Sequence, residues 1–101
     1  MEDTKRNITP DKLVRMADVL KTIAHPVRLE IIELLEENGS MGVTELQHKL
    51  NIEQSLLSHH LAKMKDRGVL RSKRDGKNLY YSIALKNIET IFDCMGKCKL
   101  V

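Results

Sequence analysis

The stretch QSLLSHHLAKMKDRGVLRSKRDGKNLYY, residues 54–81, decides the fold. Leu57, Leu61 and Met64 recur in it at spacings of four and three, the apolar stripe of an amphipathic helix that runs from Gln54 to Arg67 and is closed by Gly68. Gln54, Ser55, Ser58, His59, Ala62 and Lys63 fall on another face, and His60 lies nearer the apolar side than His59. Small polar side chains let a helix backbone approach base edges, and Gln suits a bidentate pair with adenine in the major groove. A merely solvated face accounts for this helix equally well. The segment after Gly68 changes the balance. Residues 69–74 and 77–83 flank Asp75-Gly76, a strong signal for a two-residue hairpin turn. That register sets Arg74 opposite Lys77, Ser72 opposite Leu79 and Leu70 opposite Tyr81. It buries Leu70, Leu79, Tyr81 and Ile83 and leaves Tyr80 across from Arg71 on the outer face. Lys73, Arg74 and Lys77 then crowd the tip, where opposed like charges are unfavourable unless a polyanion lies between them.

Upstream, Thr9-Pro10 supplies a cap and a first helical residue that needs no amide donor, and Leu13, Met16, Ala17, Leu20, Ile23 and Ala24 follow at the helical period. His25-Pro26 restarts the chain, His25 as a cap or polar packing residue. The second helix carries Val27, Ile31, Leu34 and Leu35 on one side and Glu30, Glu33, Glu36 and Glu37 on the other, ending at Asn38-Gly39. That acidic face repels phosphate and is expected to point away from any DNA. Thr44 and Gln47 have capping-box spacing and open a third helix through Leu50, after which Asn51 suits a left-handed turn into the helix at Gln54. Two short helices joined so tightly form a helix-turn-helix. A last helix is expected over Lys86 to Lys97, with Ile88, Ile91, Phe92 and Met95 at helical spacing. The first and last helices carry apolar stripes that the small central unit cannot cover, which favours pairing of two chains.

Composition narrows the function. With 101 residues, 42% hydrophobic and 31% charged, the chain is one domain, expected over residues 9–101 behind a disordered tail at 1–8. Three aromatics, Tyr80, Tyr81 and Phe92, are too few for stacking single-stranded bases. No apolar run approaches a membrane span and the segment Met1 to Asn7 is rich in charge with no apolar stretch behind it, so the expectation is a cytoplasmic protein without membrane contact. From Leu61 to Tyr80 seven basic residues face two acidic ones, +5 locally, against +3 for the whole chain. Such clustering is the footprint of a phosphate-binding surface. No nucleophile, base and orienting group assemble and no glycine-rich phosphate loop precedes a helix, so an enzyme is not expected.

Three blocks, in order, resemble the ArsR/SmtB family of bacterial repressors: Leu20 to Leu29 at the first helix junction, Gln54 to Leu61, and Arg74 to Ser82. The resemblance spans nearly the whole chain. It implies a mainly α fold with a β-hairpin wing, an α+β winged helix-turn-helix. It also implies a homodimer packed through its first and last helices, each fourth helix in a major groove and each wing on neighbouring backbone or minor groove. By position, Gln54, Ser55, Ser58 and His59 approach bases and Lys63, Arg74 and Lys77 hold phosphates, with Lys73 beside them at the tip. The implied partner is a double-stranded DNA operator with an inverted repeat, and the implied function is repression relieved by an inducer. The alternative is a winged-helix protein-interaction module without DNA binding, suggested by the acidic second helix. Glu53 departs from the neutral cap usual in the family and sets a carboxylate near DNA phosphate.

Two metal sites common in such relatives are missing. The third helix has no paired cysteines, only His48, and Lys86 to Lys97 holds no His. Cys94 and Cys98 remain, one helical turn apart on the side of Ile91 if the last helix extends that far. Three readings stand open for them: chelation of a soft metal or metalloid ion, reversible oxidation or persulfidation favoured by Lys97 and Lys99, or small apolar filling of a dimer seam.

Overall fold

The computed structural model describes residues 6–101, and the order of elements is α1 (Pro10–Ile23), α2 (Pro26–Asn38), β1 (Ser40–Gly42), α3 (Val43–Leu50), α4 (Gln54–Asp66), β2 (Leu70–Asp75), β3 (Asn78–Ile83) and α5 (Ile88–Lys97). The disordered tail expected at 1–8 falls mostly outside the described residues; 6–9 carry no regular structure. Thr9 caps α1 by accepting from the Lys12 amide at 3.1 Å. His25 caps α2 through Nδ1, which accepts from the Val27 amide at 3.1 Å. Two X-Pro steps thus start two helices, with proline at the first helical position in both.

α2 is central, packing on β1, β3, α3 and α4. It buries Ile31, Ile32 and Leu35, whereas Val27 and Leu34 of the expected stripe are only half-buried. Leu46 of α3, Leu57, Leu61 and Met64 of α4, Met41, Val69, Leu70, Tyr81, Ile88 and Phe92 complete the core. α4 therefore buries the three apolar residues its period singled out, and the opposite face stays in water. Each fully buried Leu contributes about 1.5–3 kcal/mol, which fixes the helix by one side.

Sequence reading missed β1. Three residues, Ser40, Met41 and Gly42, pair antiparallel with Ser82, Tyr81 and Tyr80, making a three-stranded sheet in the order β1-β3-β2. This edge strand also corrects the start of α3. The cap is Gly42, and the Glu45 carboxylate accepts from its amide at 3.4 Å; Thr44, expected to cap with Gln47, lies inside the first turn. Pairing with β3 delivers the chain to the helix before Thr44. A side chain at Gly42 would meet the Tyr80 ring at 3.4 Å, so glycine permits the close approach of strand and helix start.

The hairpin register also differs from the expected one. Asp75 pairs with Asn78, Arg74 with Leu79, Lys73 with Tyr80, Ser72 with Tyr81 and Leu70 with Ile83. The turn residues are Gly76 and Lys77 rather than Asp75 and Gly76. Gly76 alone of the two has positive φ, +64°, the pattern of a type II′ turn with glycine first; the other frame would force Asp75 into that conformation. The slip is two residues in pairing, so side-chain parity survives: Leu70, Leu79, Tyr81 and Ile83 keep one face. The expected Arg74–Lys77 opposition is absent, and Tyr80 faces Lys73 instead of Arg71.

α5 starts at Ile88, after Asn87 in a left-handed conformation, rather than at Lys86. It ends at Lys97. Cys98 is extended (φ −70°, ψ 137°), so the two thiols do not share a helical stripe; Cys94 is exposed and Cys98, half-buried, accepts from the Leu100 amide at 3.4 Å. Gly96 inside so short a last turn weakens its continuation.

Candidate nucleic-acid interface

α3 and α4 are joined by three residues, with Asn51 at φ 53° and ψ 51° turning the chain and Glu53 as the cap residue of α4. Glu53 makes no side-chain capping bond, so its carboxylate stands free beside the amides of the helix start. Gln54, Ser55, Ser58, His59 and Lys63 are all exposed along α4, and Lys73, Arg74 and Lys77 are exposed on the wing.

One open cleft of about 450 Å³ joins several of them. Gln54 and Ser58 of α4 line it with Arg74, Lys77, Asn78, Leu79 and Tyr80 of the wing and Thr44 and Glu45 of α3. The helix face and the ribbon tip therefore open onto the same solvent space. Ser55, His59, Lys63 and Lys73 lie outside this cleft. Lys63 instead borders a smaller groove with Asp18, Lys21, Thr22, Arg28 and Arg67. Thr44 and Asn78 are interface candidates that sequence reading did not single out; the signal for Asn78 was its place beside the turn.

The charge of the cleft is cationic but not uniformly so. Among the described residues the ion pairs are Arg15–Asp11 at 3.2 Å and Arg67–Asp18 at 2.7 Å, so no described carboxylate pairs with Arg74 or Lys77. Glu45 is the one acid in the lining, and it is engaged by the Gly42 amide. Other carboxylates gather elsewhere. Local burial, then Glu33, Asp93 and Glu89, raise the pKa of Glu36, and none of these four lines the cleft. Glu33 and Glu36 of α2 thus lie within electrostatic reach of Glu89 and Asp93 of α5 and outside the cationic cleft.

Behind α4 lies a polar cluster that sequence reading only touched. His60 is 3% exposed. Its Nδ1 accepts from Arg28 Nε at 2.9 Å, and Arg28 also donates through Nη1 to the Thr22 carbonyl at 2.7 Å. One guanidinium thereby links the end of α1, the first turn of α2 and the middle of α4. The His25 and His60 rings lie 4.5 Å apart, tilted by 52°, and His59 meets His60 edge-on at 5.8 Å. Burial, then His25, Arg28 and His59, lower the pKa of His60, which favours the neutral imidazole, and acceptance from Arg28 through Nδ1 places its proton on Nε2. That Nε2 is buried without a protein partner, a cost on the order of 1–3 kcal/mol that the core must offset.

Among the described residues no group of three or more His, Cys, Asp or Glu is placed to hold a metal ion, and no helix is long and apolar enough to cross a membrane.

Comparison with known proteins agrees with this geometry. Residues 25–72 match the family model described as bacterial regulatory protein, arsR family. The transcriptional repressor PagR of Bacillus anthracis is 41% identical over 80 residues, 79% of this chain and 80% of PagR. The crystal structure of PagR superposes with a TM-score of 0.77 at 37% identity, covering 86% of this chain and 99% of that one. The crystal structure of the transcriptional repressor BigR from Xylella fastidiosa gives a TM-score of 0.85 at 26% identity, over 97% and 99% of the two chains. These relatives are named as transcriptional repressors. A helix-turn-helix whose exposed helix face shares a cationic cleft with a β-ribbon, carried on a sequence this similar, makes the chain a DNA-binding transcriptional regulator of the arsR family.

Proposed function

We propose that the chain is a dimeric repressor that binds an inverted-repeat DNA operator, α4 entering the major groove and the wing holding adjacent backbone. The observation that carries this reading is the shared cleft. Gln54 and Ser58 on one wall have base-reading chemistry, while Arg74 and Lys77 on the other have phosphate-binding chemistry. Pairing of chains is supported by what α1 and α5 leave uncovered. Leu13, Val14 and Leu20 of α1 are 55%, 68% and 49% exposed, and Met95 of α5 is 44% exposed. The radius of gyration, 15.5 Å, exceeds the roughly 13 Å of a compact domain of this length, in keeping with terminal helices that stand out from the central unit. A twofold dimer places half-sites about 34–36 Å apart, or multiples of that.

The test is selection of duplexes from a random library, followed by gel shift and sedimentation. An inverted repeat bound by two chains is the expected outcome. Leu13→Glu with Leu20→Glu is expected to yield monomers and to lose the selected duplex. Selection of a direct, unrepeated site by single chains overturns the dimeric reading.

The inducer acts, in this reading, at Cys94 and Cys98. Exposure of Cys94 supports reaction with an oxidant, a persulfide donor or a soft metal or metalloid ion. With only two thiols per chain, a chelated ion draws ligands from both subunits. Titration of the DNA complex with arsenite, cadmium and a persulfide donor, beside a Cys94→Ser, Cys98→Ser variant, tests this. Identical dissociation curves for the two proteins remove these thiols from regulation.

A further inference from the structure

We propose that Arg28 and His60 are positioning residues that hold α4 in its DNA-reading pose, and that protonation of His60 releases it. The inference rests on the DNA-binding reading above. It starts from a bond that exists in only one protonation state. His60 Nδ1 uses its lone pair to accept from Arg28 Nε. A proton arriving from solvent takes that lone pair, so the hydrogen bond breaks and an imidazolium is left beside a guanidinium. Nothing facing His60 offsets the new charge. From α2 it meets His25 and Arg28; from α4, His59; and the groove around Arg28 adds Lys21, Lys63 and Arg67. The single carboxylate there, Asp18, is already taken by Arg67. The buried site therefore opposes the charged form, in keeping with the direction in which the titration of His60 is displaced.

The consequence reaches the interface through the backbone of α4. Arg28 ties the middle of that helix to the frame of α1 and α2 through His60 and the Thr22 carbonyl, while the Arg67–Asp18 pair holds only its C-terminal end. His59, adjacent in sequence and in edge contact with the His60 ring, belongs to the exposed DNA-facing set. A shift of His60 thus moves a side chain that approaches DNA. A misplaced α4 loses base readout first, because phosphate contacts tolerate displacement better than bidentate base contacts.

The specificity ratio reads this directly. A duplex selected at about pH 7.5 and its scrambled counterpart are compared by competition down to about pH 5.5, where an unperturbed His is mostly protonated. The ratio removes any effect of pH common to both duplexes. Wild type is expected to lose several-fold in the ratio over this range, because the held helix disfavours protonation of His60 and the released helix does not. His60→Asn, whose amide oxygen takes the place of Nδ1 as acceptor and gains no proton, is expected to hold its ratio constant across the range. His48→Gln, on the exposed side of α3, is expected to keep the wild-type pH dependence. ¹⁵N imidazole shifts of the wild-type protein are expected to show the Nε2–H tautomer at neutral pH and His60 titrating in step with the ratio, a readout independent of any variant's folding. A pH-independent wild-type ratio, or a His60 resonance that titrates out of step with it, overturns the inference while leaving DNA binding intact. Failure to select any duplex overturns the reading beneath it as well.

Discussion

Replacing Arg74 and Lys77 together with Ala removes two cations from the far wall of the cleft that Gln54 and Ser58 share. Neither side chain is buried or ion-paired within the described chain, so the fold is expected to melt within a degree or two of wild type. The effect on DNA is large because counterion release scales with the number of phosphates neutralised. The slope of log K against log salt falls by about 0.9 for each lost contact, hence by roughly 1.8 if one chain binds and roughly 3.6 if two do. Between about 50 and 200 mM salt the wild-type dimer then loses on the order of a hundredfold more affinity than the variant. Fluorescence anisotropy on a selected duplex and on a random one, at four salt concentrations, measures both slopes. The change is expected to be the same for the two duplexes, since phosphates carry no sequence information. It also counts subunits, because the single-chain and two-chain values differ by a factor of two. An unchanged slope would mean that the wing does not touch the backbone, and the shared cleft would lose its functional meaning.

Other outcomes follow from single positions. Gln54→Ala is expected to cost about 1–3 kcal/mol of discrimination at one base pair, with affinity for random duplex preserved; selection from a library reads the blurred position. Glu53→Ser supplies the capping oxygen that Glu53 does not provide and deletes a carboxylate near the backbone, so it is expected to stabilise α4 by about 1 kcal/mol in denaturant melts and to tighten binding to all sequences. Leu61→Ala empties a position in contact with the central core and is expected to cost about 2–5 kcal/mol, read as a lowered thermal midpoint. Glu36→Gln is expected to raise stability at neutral pH and to have no effect in acid: the folded-state pKa lies above 4.5, so wild type is strained only once pH rises through it. His60 has the opposite sense. Its folded-state pKa lies below 6.5, so the unfolded chain binds the proton first and stability declines as pH falls below that value; His60→Asn is expected to flatten that decline in urea melts.

The features legible in the sequence are those set by local chemistry. Thr9-Pro10 and His25-Pro26 start helices because proline needs no amide donor there and the preceding side chain can accept a bond, whatever the rest of the chain does. Asn51 turns left-handed for a similarly local reason. The buried face of α4 follows from the spacing of Leu57, Leu61 and Met64, and its exposed face follows by subtraction. The hairpin is instructive because its faces were legible while its register was not. Parity alone decides which side chains point inward, and a slip of two leaves parity intact. The choice between turns centred on Asp75-Gly76 and on Gly76-Lys77 depends on a backbone angle at one residue.

What was not legible is non-local. β1 is three residues long and carries one buried side chain, Met41, so it has no periodicity to detect; it exists because β3 offers a free edge after pairing with β2. Once β1 forms, it fixes where α3 begins, and the capping-box spacing at Thr44 is overruled by the strand before it. The Arg28–His60 link spans 32 residues of sequence, and its partners, a helix-start arginine and a histidine near an apolar stripe, each pass for ordinary packing residues when read alone. Their meaning comes from being brought together with His25, and the chain brings them together only because α2 and α4 bury their apolar faces against each other. The core thus does more than hold the DNA-reading helix in place by one side. It also brings a titratable group to the back of that helix, and in the switch proposed above a change of one proton there acts on the exposed face of α4.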